Sequence, residues 1–153
     1  MKDLKTFYMQ AAIGKAESSG TPYGAVLLQP ETGEKVIVAN SVKASQDPTA
    51  HAEVNAIRQA GKAGMSTAGS ILFSTCEPCP MCAMAAVWAG VSKIYFGATI
   101  DDAAAHGQQV KIYCEDITAK AWYDVEVEGG VLQEDCKALF KHGYKYCVFL
   151  YGK

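Results

Sequence analysis

Residues 75–82 read TCEPCPMC and set Cys76, Cys79 and Cys82 at equal intervals, soft donors near enough in the chain to share a metal or a cluster. Pro78 disfavours helical backbone at Glu77, whereas Pro80 fits the first turn of a helix without losing a hydrogen bond. The run CPMCAMAAVWAG continues in good helix formers and stops at Gly90. Cys76 is therefore expected outside any helix, with Cys79 and Cys82 on one face of a first turn. Three chemistries fit so far. An iron–sulfur run needs a further cysteine where Ala86 stands, and Cys114, Cys136 and Cys147 are widely scattered. A redox dithiol needs only C-x-x-C in a suitable fold. Zinc needs a histidine or a further cysteine pair from elsewhere.

His51 supplies that donor, within DPTAHAEVNAIRQAG. Asp47 is read as the N-cap of a helix and Pro48 as its first residue, with Ala52, Val54, Ala56, Ile57 and Ala60 giving apolar surface. His51 then falls in a first turn, as do the cysteines. Helical side chains tilt toward the N-terminus, so groups in two first turns can flank a point just beyond both helix ends. Partial positive charge there favours thiolates. His51, Cys79 and Cys82 make a set of three, which leaves a fourth tetrahedral position for water and so marks catalytic zinc, one ion per chain. Water on a suitable zinc has a pKa near about 7. Glu53 stays free to move protons.

His51-Ala52-Glu53 and Pro78-Cys79-Pro80-Met81-Cys82 match the H-x-E and P-C-x-x-C signature of zinc deaminases. The chain resembles the cytidine deaminase-like superfamily, within the branch of bacterial guanine deaminases and tRNA adenosine deaminases. The likeness extends through YGAVLL, Asn40, DPTAHAEVNAIR, TCEPCPMC and VEGGVLQEDCKALF. It implies hydrolytic loss of an exocyclic amino group, with Glu53 taking the proton of the attacking water, delivering it to a ring nitrogen, and then protonating the departing group as ammonia leaves. It implies that Asn40 contacts substrate, along with the Ala52 backbone and the Cys79 amide, and that the protein is a homodimer. Cys76 has no ligand role in the family and is expected as a packed or pocket-lining thiol. Tyr23 and Trp88 could stack on a base, Trp88 being equally a core residue of its helix. His106 and His142 read as hydrogen-bonded partners, and Cys114, Cys136 and Cys147 as small buried hydrophobes.

At 153 residues, 50% of them hydrophobic, the chain suits a single domain over residues 1–153. It shows no membrane-span pattern and no signal peptide, and cysteines kept as thiols suit the cytoplasm. Leu4, Phe7, Tyr8 and Ala11 predict an amphipathic helix ending near Gly20. Residues 23–29 and 34–39 predict a hairpin around PETG. Residues 71–75 and 93–96 predict strands joined by a helical, hence parallel, crossover, and 125–128 a fifth strand. Leu132, Cys136, Leu139 and Phe140 predict a closing helix stopped by Gly143. Residues 98–122 predict one or two short helices. The sum is an α/β fold, a three-layer α/β/α sandwich on a five-stranded mixed sheet.

A zinc-stabilised binding module without chemistry would have no use for Glu53. An RNA-modifying enzyme needs phosphate contacts, and a net charge of −2 gives no basic footprint, GYKYCVFLYGK carrying only Lys145 and Lys153. The segment TIDDAAAHGQQ resembles the guanine deaminase stretch after the fourth strand. That stretch usually continues from glycine through an aromatic into acidic residues that help hold the purine, whereas Gly107 here leads to Gln108, Gln109 and Val110. VEGGVLQEDCKALF is more like the cytosine and tRNA adenosine deaminase branches. The expected substrate is a small nucleobase or nucleoside, guanine ahead of cytosine-type compounds. Adenosine in a tRNA anticodon loop is the alternative, and nucleic acid the less expected partner.

Overall fold

A computed structural model describes residues 3–140. Its elements run α1 (Leu4–Ser19), β1 (Gly24–Leu28), β2 (Lys35–Ala39), α2 (Val42–Ser45), α3 (Ala52–Lys62), β3 (Ile71–Cys76), α4 (Pro80–Trp88), β4 (Lys93–Ala98), α5 (Ile100–Ala104), α6 (Cys114–Thr118), β5 (Glu126–Glu128) and α7 (Gln133–Lys137). The strands form one mixed sheet in the order β2-β1-β3-β4-β5. β1 is antiparallel to β2 and β3, and β3, β4 and β5 are parallel. The expected hairpin, crossover, fifth strand and two short helices between 98 and 122 are all present. Gly143, His142, Cys147, Lys145 and Lys153 lie outside the described residues.

Register assigns the helices to faces. Val26 lies opposite Phe73, and Phe73 opposite Tyr95, so these side chains share one side of the sheet. Tyr8 of α1 packs on Phe73 at 5.1 Å between ring centroids, which puts α1 on that side. Ala25 and Ser74 point the other way, and Ser74 reaches Glu53 of α3. Helices thus cover both faces, as a three-layer sandwich requires.

Two local expectations differ from the structure. The buried stripe of α1 is Met9, Ala12 and Ala16, while Leu4 and Phe7 are exposed by 48% and 55%. A Cβ on Gly24 would collide with the Ala12 carbonyl, so α1 lies low over β1 with the small Ala12 and Ala16 at the closest approach. The helix does end at Gly20, whose left-handed backbone (φ 73°) supplies the stop. The second difference is the start of α3. Asp47 spends its carboxylate on the Thr49 N–H (2.8 Å) and hydroxyl (2.7 Å), a local turn that competes with capping. The chain stays non-helical until His51, and Pro48 lies in the turn instead of the helix.

No helix among the described residues is long and apolar enough to cross a membrane.

Candidate metal centre and catalytic cavity

His51 and Cys79 occupy equivalent positions. Each is the N-cap of its helix with extended backbone (ψ 156° and 168°), and each carbonyl accepts the first intrahelical bond, from Asn55 (2.9 Å) and Ala83 (2.8 Å). An N-cap side chain ordinarily folds back onto its own helix. No side-chain cap hydrogen bond is made at either start, and the two side chains approach each other. Pro80 at the first position of α4 then brings Cys82 round to the same side.

The three side chains converge. His51 Nδ1 lies 3.6 Å from Cys79 Sγ and 3.5 Å from Cys82 Sγ, and one donor atom from each residue falls within 4.8 Å of the others. An imidazole nitrogen and two sulfurs at this spacing are a fitting donor set for zinc. Cys76 ends β3 beside them but is not part of the trio, so neither a cluster of the three cysteines nor an isolated dithiol describes the centre.

Without metal, protons in this cluster are shared unequally. The hydrogen bond from the Cys82 thiol, and then that from His51, pull Cys79 down to about 4 against the opposing effect of burial. Cys82 is pushed well up by that same sharing, by burial and by the Glu53 carboxylate. Burial lowers His51, but its hydrogen bond to Cys79 and the negative charges around it outweigh that, leaving its pKa above the usual value. Burial, first of all, pushes the Cys76 thiol well up and keeps it protonated.

Glu53 is buried on α3, and its Oε1 lies 2.6 Å from Ser74 Oγ. Ser74 Oγ is also 2.6 Å from the Cys76 carbonyl. A serine hydroxyl has one proton, and a carbonyl can only accept. Ser74 can therefore donate to an ionised Glu53, or accept from a protonated Glu53 while donating to the carbonyl. The contact suits a carboxylate that changes protonation state.

A cavity of about 10 Å³, room for roughly one water, is lined by Tyr23, His51, Glu53, Cys76, Glu77, Cys79 and Gln109. A roomier cleft of about 260 Å³ between the end of α1 and α7 lies away from the thiols. Tyr23 is held by its neighbours. Thr75 Oγ1 donates to the Pro22 carbonyl (2.9 Å) and accepts the Gly24 N–H (3.0 Å), and the Tyr23 carbonyl accepts the Asn40 N–H (3.0 Å). Asn40 is buried, its Oδ1 accepting the Val42 N–H at 3.0 Å, which turns its NH2 group the other way. Ala52 is buried at the first turn of α3.

Trp88 is corrected as a core residue. It is 73% exposed at the far end of α4 from Cys79, against Trp122 at 5.2 Å. His106 stacks on Phe140, and Cys114 and Cys136 are buried as expected.

Glu77 and Gln109 line this cavity without having been expected there. Glu77 is buried and accepts the Ile100 N–H and the Cys114 N–H, both at 3.0 Å, tying the end of β3 to the starts of α5 and α6. Its place inside TCEPC was a signal. Gln109 had none, standing in an aperiodic connection.

The model of the cytidine and deoxycytidylate deaminase zinc-binding region matches residues 2–98, more than half of the chain. Guanine deaminase of Bacillus subtilis (strain 168) is 40% identical over 109 residues, 68% of this chain and 67% of that protein. The tRNA-specific adenosine deaminase of the same organism is 37% identical over 136 residues, 84% and 81% of the two chains. A structure from work on A-to-I editing by tRNA:A34 deaminases superposes with a TM-score of 0.72 at 26% identity, covering 88% of this chain and 99% of that one. The guanine deaminase of Nitrosomonas europaea shares the fold, with a TM-score of 0.73 at 23% identity over 89% and 80% of the chains. The chain belongs to the cytidine and deoxycytidylate deaminase family of zinc-dependent hydrolases.

Proposed function

We propose that this enzyme hydrolytically deaminates a small nucleobase or nucleoside, guanine first and cytosine-type compounds next, releasing ammonia. The observation that carries the reading is a buried carboxylate, Glu53, lining one cavity with His51 and Cys79. A zinc ion held by His51, Cys79 and Cys82 would supply an activated water. With that group in place, Glu53 would take one proton from the attacking water and give it to a ring nitrogen of the base, then take the second from the hydroxyl added to the carbon and give it to the leaving amino group, which departs as ammonia. Ser74 holds the carboxylate in either protonation state. The Asn40 amide, the Tyr23 ring, and the backbone at Ala52 and Cys79 position the base. The 40% identity to a guanine deaminase and the net charge of −2 support the small-molecule reading.

A second reading, deamination of adenosine in a tRNA anticodon loop, is supported by the longer match to a tRNA-specific adenosine deaminase, 84% of this chain. An ammonia-release panel of guanine, guanosine, cytosine, cytidine, isocytosine, adenine, adenosine and an adenosine-bearing anticodon stem-loop separates the two. Release from the RNA alone would reject the small-molecule reading.

The same proposal places the enzyme in the cytoplasm, where thiol ligands stay reduced, and makes it a homodimer. Met81, Met84 and Trp88 form an exposed apolar stripe on α4, continued by Trp122, and this is the surface to cover. Light scattering that shows only monomer would reject it.

A further inference from the structure

Gln109 stands in the connection between α5 and α6, and its side chain lines the cavity beside Glu53 and Cys79. Its Nε2 is sealed from solvent and has no hydrogen-bond partner among the described residues. A buried donor left unpaired is costly, and such groups are normally satisfied by protein, water or ligand. Every other polar group described on this wall has work within the protein: Glu77 accepts two backbone N–H groups, and Glu53 is held by Ser74. Gln109 alone presents an uncommitted amide to the place where chemistry occurs.

We propose that Gln109 is the specificity-determining donor of this site, and that it reads a ring carbonyl oxygen of the base. The assignment rests on the deaminase reading above and narrows its substrate class. In cytosine, the path from the amino-bearing carbon through a ring nitrogen leads to a carbonyl carbon. In guanine and isocytosine it does the same in the tautomer whose ring proton sits on the nitrogen remote from the carbonyl, which leaves the nitrogen beside the carbonyl free to accept a proton. In adenine it leads to a C–H. Once Glu53 serves a ring nitrogen next to the reacting carbon, a donor on the adjoining wall meets oxygen in the first three bases and hydrogen in the last. The substrate class is therefore the amino-oxo bases, and adenine-type bases are rejected by an amide that stays buried and unpaired. The cavity has room for about one water, so a base enters only as lining groups shift. Gln109, on a connection between two short helices, stands on the part of the wall that belongs to no regular element.

The test deletes the carbonyl and the amide separately. For the zinc-loaded wild-type protein and Gln109→Met, kcat/KM is measured for cytosine beside 4-aminopyrimidine and for guanine beside 2-aminopurine. Binding of the same compounds to Glu53→Gln and Glu53→Gln/Gln109→Met proteins is followed by calorimetry. Comparing the two proteins removes the carbonyl's intrinsic effect on reactivity. The penalty for losing the carbonyl should be about 10- to 100-fold larger in the wild type than in Gln109→Met. Gln109→Glu, which sets an acceptor against the carbonyl, should fall below Gln109→Met on the oxo bases.

Equal kcat/KM within each pair for the wild type overturns the assignment, and needs no variant to fold. An unchanged carbonyl penalty in Gln109→Met overturns it too, as does activity confined to adenosine in RNA; in both cases the deaminase reading stands. Ammonia release from no compound, RNA included, rejects the deaminase reading itself and this assignment with it.

Discussion

Around one small cavity, two kinds of wall meet. His51, Glu53, Cys79 and Cys82 stand on helix starts packed over the sheet, and their positions follow from two N-caps, a proline and a strand end. Gln109 stands on the connection at 105–113, which has little regular structure and reaches the rest of the site through Glu77. The first wall is fixed by backbone geometry and serves chemistry common to a family. The second belongs to no regular element, and under the proposal above it is where substrate choice would vary. One scaffold can thereby match relatives named for guanine and for tRNA adenosine alike.

Removing a ligand should break the first wall most severely. Cys79→Ala is expected to lose its zinc and, with it, turnover to background, whereas Cys76→Ala keeps one zinc per chain because its thiol lies outside the trio. Elemental analysis of both purified variants decides it: full zinc in Cys79→Ala with loss in Cys76→Ala would reverse the ligand assignment. A smaller but still large loss belongs to the carboxylate. Glu53→Gln keeps the shape and cannot shuttle protons, so zinc should remain and kcat fall by at least ~10²-fold. Wild-type ammonia release from this variant would remove Glu53 from the mechanism.

What could be read from the sequence divides along the same line. The proline-set boundary after Cys76 and the spacing of Cys79 and Cys82 have local causes, and the structure reproduces both. The helix start before His51 did not follow, because Asp47 had two local uses and the turn through Thr49 won. The choice of Met9, Ala12 and Ala16 as the buried stripe of α1 depends on how the helix meets Gly24, distant in sequence, while Leu4 and Phe7 stay exposed. Trp88 looks like a core residue in an apolar run, and only the three-dimensional arrangement shows it at the outer end of α4 against Trp122. Gln109 lies in a segment without periodicity, where propensity offers nothing to argue from.

A gentler probe of the first wall is pH. In the metal-free protein Cys79, pulled down to about 4, is already a thiolate near neutrality, while Cys82, pushed up, keeps its proton and His51, raised, holds part of one. Zinc binds the deprotonated forms of all three, so loading at neutral pH should release about one to two protons, and apparent affinity should rise with pH. Calorimetry in buffers of different ionisation heat reads the number directly. Release of none would mean that Cys82 is also a thiolate before metal arrives.

The smallest effect should come from the tie between the walls. Glu77 offers one acceptor oxygen to the Ile100 N–H and the other to the Cys114 N–H, so both helices that bound the Gln109 connection hang from one carboxylate. In Glu77→Gln one of those oxygens becomes an NH2 group facing an N–H, leaving a buried donor unsatisfied at a cost of about 1–3 kcal/mol. The ligands stand on α3 and α4, outside the tethered segment, so zinc content should stay at one per chain. The connection should loosen, raising KM for the base several-fold while kcat changes less. Zinc loss in this variant would show that the second wall also holds the metal site together, and an unchanged KM would show that the connection keeps its place without Glu77.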